Sequence, residues 1–139
     1  MKPDELVAKY LPPDVAVKWR KKDWAPAHAI VHPRTKKRRM YSPYPDEPFK
    51  ALVFLHEVAH FQMNQFNHKR PNYEEEYEAE IMAMAIWRVE GHRVPRAYLT
   101  EAKRYVRECI QTQRKKNVKY VYRGRVVKFK PHILRWARK

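Results

Sequence analysis

Between Phe49 and Met63 apolar residues recur at helical spacing, and the polar residues set inside that stripe constrain this chain more than anything else in it. Phe49, Leu52, Val53, His56, His60 and Met63 fall along one face. A lone histidine on such a face is usually a satisfied core residue. Two of them a turn apart, with Glu57 between, are costly to bury without a reason. His56-Glu57-Val58-Ala59-His60 is an HExxH sequence. On a helix, residues four apart project the same way, so both imidazoles can reach one ion. Glu57, one step round, is placed to take a proton from a water beside that ion. Zinc is the expected metal, with His56 and His60 as ligands and Glu57 as the catalytic base.

A catalytic zinc takes three protein ligands and leaves one position open. Six residues beyond His60 stands Phe66, and His68, eight beyond, lies near the expected end of the helix. The acidic cluster Glu74, Glu75, Glu76, Glu78 and Glu80 offers better candidates. A helix from Tyr73 to Glu90 groups Glu78 with Met82, Ala85 and Val89, with Ile81 alongside, and turns Glu80 toward the opposite side near Trp87. Glu74, Glu75 and Glu76 read as a solvated helix start favoured by the macrodipole. A carboxylate centred in an apolar stripe needs a partner, so Glu78 is the expected third ligand.

Around these two helices the reading is α+β, in one domain over residues 1–139. Residues 1–45 read as an antiparallel sheet region, with strands at Val15–Trp19 and His28–His32 and a return from Arg38 to Tyr41. Residues 46–92 hold the zinc-binding helices. The first runs from an N-cap at Asp46, with Pro48 in its first turn, to about Asn67. The second ends at Gly91, a C′ glycine. Residues 93–139 hold a third helix from Pro95 to about Gln113, then a β-hairpin in which Val118–Tyr122 and Val126–Phe129 flank Gly124. The tail from Pro131 adds an amphipathic turn or two. Only two glycines occur against 11 prolines, so turns lean on Pro, Asn and Asp.

The charge points to partners rather than fold. The formal net charge is +16, with basic residues crowded at Lys18–Lys22, Arg34–Arg39 and from Arg114 onward. Lysines and arginines alternate with aromatics from Lys119 to Lys130, a pattern suited to phosphate contacts and base stacking. A basic nucleic-acid-binding protein is therefore the competing reading. No apolar run is long enough to cross a bilayer. Nothing behind Met1 resembles a secretory signal, so a soluble cytoplasmic protein is expected. Cys109 is a single cysteine on an apolar helix face and reads as a core thiol.

From His28 to Trp87 the chain resembles the gluzincins, in which HExxH lies on one helix and a glutamate on the next completes the site. The run Tyr77-Glu78-Ala79-Glu80-Ile81-Met82-Ala83 resembles the glutamate helix of the ImmA/IrrE metallopeptidases, where a Glu-Ala pair is followed by a small residue a turn later. The compact two-helix arrangement is also similar to the minigluzincins. The resemblance implies a zincin-like fold, zinc held by His56, His60 and Glu78, Glu57 as general base and acid, and hydrolysis of protein or peptide substrates. An edge of the sheet would take the substrate as an added strand. SprT-type proteases, often tied to DNA, close their site with a third histidine, and none occurs between His68 and His92. Tyr73, Tyr77 and His92 are candidates for oxyanion stabilisation by sequence proximity. A C-terminal segment folded over the cleft would hold such an enzyme latent.

Overall fold

The computed structural model describes residues 1–21, 27–66, 70–116, 121–122, 125–126 and 128–139. The chain opens with a helix that strand-forming patterns further on obscure. α1 (Pro3–Tyr10) has Pro3 in its first turn with Asp4 and Glu5 behind it, and it buries Leu6. Proline at the first helical position and acids at the positive end of the dipole are ordinary helix-start chemistry.

β1 (Val15–Arg20), β2 (His28–Val31) and β3 (Arg38–Pro43) form one sheet in the order β1-β3-β2. β2 and β3 pair antiparallel, with His28 opposite Tyr41 and Ile30 opposite Arg39. β1 pairs with β3 in parallel, Val15 opposite Arg38 and Lys18 opposite Tyr41. The sheet is thus mixed rather than antiparallel throughout, because β3 inserts between its two predecessors. The turn before β3 uses the His32 ring, whose Nδ1 accepts from the backbone of Arg34 and Thr35 at 3.2 Å each. It also uses Lys36 at φ 61.

Alternation divides the sheet. Val15, Met40 and Ser42 are buried on the inner face, and Val17, Trp19, Ala29 and Val31 pack against the core from it. α2 (Pro48–Gln62) lies on this face, with Leu52, Phe54, Leu55 and Val58 fully buried. Its N-cap is Glu47, whose side chain accepts from the Lys50 backbone at 2.9 Å, one residue on from the expected Asp46. It stops at Gln62, short of Asn67, where Asn64 adopts φ 51 and turns the chain.

α3 (Asn72–Val89) packs along α2, and α4 (Arg96–Lys116) along α3. The end of α3 is a Schellman turn: Gly91 at φ 89 donates to Arg88 at 2.9 Å and His92 to Trp87 at 3.2 Å. Val121–Tyr122 (β4) and Arg125–Val126 (β5) pair antiparallel. The rest of the expected hairpin, at 118–120, 123–124 and 127, lies outside the described residues. α5 (Pro131–Arg138) buries Ile133 and Ala137 against α4.

Two hydrophobic clusters result. The larger joins α1, the sheet, α2, Ala83, Met84 and Trp87 of α3, and Tyr98 and Ala102 of α4. The smaller joins Tyr73 of α3, Val106, Cys109 and Ile110 of α4, and Ile133 and Ala137 of α5. Among the described residues no helix is long and apolar enough to cross a membrane.

Candidate metal centre

His56, Glu57 and His60 are all buried in the third and fourth turns of α2, where the apolar stripe placed them. Facing them from α3 is Glu76. Its Oε2 lies 2.8 Å from Nε2 of His56 and 3.3 Å from Nε2 of His60, and the two Nε2 atoms are 3.1 Å apart. Donors about 2.0–2.1 Å from a tetrahedral zinc stand about 3.3 Å from one another, so these separations suit such an ion. The three side chains could hold a metal.

The far side of each imidazole is also engaged. His60 Nδ1 donates to Oε1 of Gln65 at 2.9 Å, which the early stop of α2 and the turn at Asn64 make possible. Glu80, a turn beyond Glu76, is in ion-pair contact with Nδ1 of His56. Tyr98 of α4 braces Glu80 in turn, donating to its Oε1 at 3.2 Å. With Nδ1 holding the proton on both rings, each Nε2 presents a lone pair toward the Glu76 carboxylate. Three acceptors converging in a buried space require a cation among them, whether proton or metal. The donor set, two imidazoles and one carboxylate, is the kind that zinc takes.

Electrostatics describe the same cluster in its metal-free form. Burial opposes charge on His56, but Glu80 and Glu76 outweigh it and hold its pKa well above the usual value. His60 is raised likewise, burial being overcome chiefly by Glu76. Glu76 is pulled down to about 2, as the two histidines outweigh its burial. Burial pushes Glu57 up, the direction a general base working near neutral pH needs.

Glu78, the expected third ligand, is elsewhere. Its side chain, 33% exposed, pairs with Arg70 at 2.6 Å and accepts from Gln65 at 3.5 Å. The stripe that grouped it with Met82, Ala85 and Val89 is the outer face of α3, where Val89 is 81% exposed. The inner face runs through Glu76, Glu80, Ala83, Met84 and Trp87, and holds two carboxylates. Glu78 and Glu80 do point to opposite sides, as helical geometry requires, but the inward side is that of Glu80. Glu76 and Gln65 are the site residues that sequence patterning passed over. The i, i+4 pair Glu76 and Glu80, in step with Ala83 and Trp87, was the available signal.

A cleft of about 490 Å³ opens onto this cluster. His56, Glu57, His60 and Glu76 form its floor, Phe49, Val53 and Phe66 give it an apolar side, and Tyr98 and Tyr105 of α4 enter from across. Ala27, His28 and Ala29 border it, so the edge of β2, which no other strand among the described residues pairs with, runs beside the candidate centre. None of the residues first considered for oxyanion stabilisation reaches this space. Tyr73 is buried with its hydroxyl at the Lys128–Lys130 backbone, Tyr77 packs on His132 and Trp136, and His92 stacks on Trp87. Tyr105, with its ring 6.5 Å from that of His56, is the hydroxyl-bearing residue of α4 that is still 40% exposed there.

No protein-family model, no curated protein and no solved structure matches this chain.

Proposed function

We propose that the protein is a zinc-dependent endopeptidase whose metal is held by His56, His60 and Glu76. The observation that carries this reading is the convergence of three acceptor atoms, the two imidazoles among them held from behind by Glu80 and Gln65, on a cleft that also contains Glu57. Zinc bound there would supply a Lewis acid that polarises a carbonyl and activates water. Glu57 takes the proton from the attacking water and returns it to the leaving amine, and its burial keeps it basic enough for the first step. That edge of β2 offers backbone donors and acceptors to an extended peptide, which positions the scissile bond beside the cluster. Tyr105 is placed to meet negative charge growing on the substrate oxygen.

The test is metal content together with one substitution. The purified protein should carry one zinc per chain and cleave peptides from a mixed-sequence library. Glu57→Gln should keep the zinc and lose at least a hundredfold in cleavage rate, the usual contribution of a positioned base. A Glu57→Gln protein that cleaves at the parental rate, or a parent that binds no zinc, refutes the reading.

A further inference from the structure

Six cations among the described residues are paired with carboxylates. Lys9 pairs with Glu90, Arg38 with Asp14, Lys50 with Asp46, Arg70 with Glu74 and Glu78, Arg104 with Glu101 and Glu108, and Lys130 with Glu74. The outer face of the sheet gathers cations that have no such pair among the described residues. The alternation that turns Val15, Val17, Met40 and Ser42 inward turns Lys18, Arg20, His28, Arg39 and Tyr41 outward. Among the described residues no carboxylate pairs with any of these cations. The β2–β3 turn extends the same polarity with exposed Arg34, Lys36 and Lys37. Like charges gathered without counter-charges repel one another, so among the described residues this face lacks electrostatic complement.

Strand register also builds a stack of planar groups across it. His28 on β2 lies directly opposite Tyr41 on β3, and their rings stack with centroids 4.5 Å apart. The Arg20 guanidinium, from β1, covers the Tyr41 ring at 4.5 Å. Arg39 donates to the Tyr41 hydroxyl at 3.4 Å. An imidazole, a phenol ring and a guanidinium thus stack face to face over three strands, with Lys18 and Arg39 next to them. At the basic C-terminal end Phe129 packs against Tyr73 and under Arg114, and Trp136 against Tyr77 and under Lys103.

We propose that the outer face of the β1-β3-β2 sheet binds single-stranded nucleic acid, its cations meeting phosphates and bases extending the His28–Tyr41–Arg20 stack. Phosphates supply the missing counter-charge, and planar side chains beside them take unstacked bases without regard to sequence. The site lies on the face of the sheet turned from the core and meets the cleft only at His28, and it does not require that a metal be bound.

The test uses the full-length protein with a fluorescein-labelled oligothymidine and a duplex of the same length, each titrated at two salt concentrations. Lys18→Glu/Arg39→Glu should weaken oligothymidine binding at least tenfold. Arg135→Glu/Arg138→Glu, the same charge change on exposed α5 residues, should weaken it less than threefold. Tyr41→Leu, which changes no charge, should cost the single strand about fivefold or more while leaving the duplex within twofold. Arg39→Gln gives the milder form of the reversal should the double variant not fold. Equal losses from the two charge reversals, an unaltered Tyr41→Leu protein, or equal sheet-dependent binding to phosphatidylserine vesicles would each overturn the proposal.

Discussion

Removing the carboxylate of Glu76 separates the arrangement in the structure from the one that apolar patterning suggests. Glu76 Oε2 touches both imidazoles, at 2.8 and 3.3 Å, so Glu76→Gln exchanges an anionic metal ligand for a neutral amide. Glu80 and Gln65 act one step further out, holding the Nδ1 side of His56 and His60. Loss of such outer partners typically costs 10- to 100-fold in metal affinity, about 1.4–2.8 kcal/mol. Loss of a ligand should exceed that. Glu78 makes a partly exposed pair with Arg70, an interaction of about 0–1 kcal/mol that does not reach the histidines. The expected order of zinc loss is therefore Glu76→Gln well over 100-fold, then Glu80→Gln and Gln65→Ala at 10- to 100-fold, then Glu78→Gln within about twofold. Competition against a chromophoric chelator measures all four. If Glu78→Gln releases zinc while Glu76→Gln retains it, α3 is turned to the wrong side in this account and the proposed ligand set falls.

Cys109 should be inert in the native protein. Burial, with Glu76 adding to it, pushes its thiol up to about 12, so alkylation by iodoacetamide at pH 8 should run on the order of a thousandfold slower than in denaturant. Equal rates by mass spectrometry would contradict the packing of α4. Phe54, fully buried between α2 and the sheet, should cost about 3–5 kcal/mol on replacement by alanine. A denaturant midpoint unchanged in Phe54→Ala would mean the core is elsewhere.

The residues of α2 were legible because the helix is apolar nearly all round from Ala51 to Phe61 and its histidines interrupt that run at the right interval. The ends of α3 and the glycine turn at Gly91 were legible for similar reasons, since chain punctuation is local. The rotation of α3 was not. Its outer face bears Ile81 and Val89 while its inner face bears Glu76 and Glu80, which inverts the usual sign of the hydrophobic pattern. A buried polar cluster does this wherever coordination or pairing replaces apolar contact. Sheet order was illegible for another reason. Strand-forming residues set a strand's faces but not its neighbours, and nothing local in β1 or β3 announces their parallel pairing. α1 was overlooked although Pro3, Asp4 and Glu5 announce a helix start. Gln65 reaches His60 only because α2 stops early, a matter of one left-handed residue at Asn64.

The two hydrophobic clusters share α3 and α4 as a common wall, and each helix changes allegiance partway along. α3 gives Tyr73 and Tyr77 to the smaller cluster and Ala83, Met84 and Trp87 to the larger. α4 gives Tyr98 and Ala102 to the larger and Val106, Cys109 and Ile110 to the smaller. Glu76, Glu80 and Tyr105 stand near the crossing points. Polar side chains there do not puncture either oil-like interior, since they occupy the grout line between them. A substitution that strengthens one core need not disturb the candidate centre, whereas one that slides the two cores past each other would draw Glu76 away from the histidines without touching a single ligand.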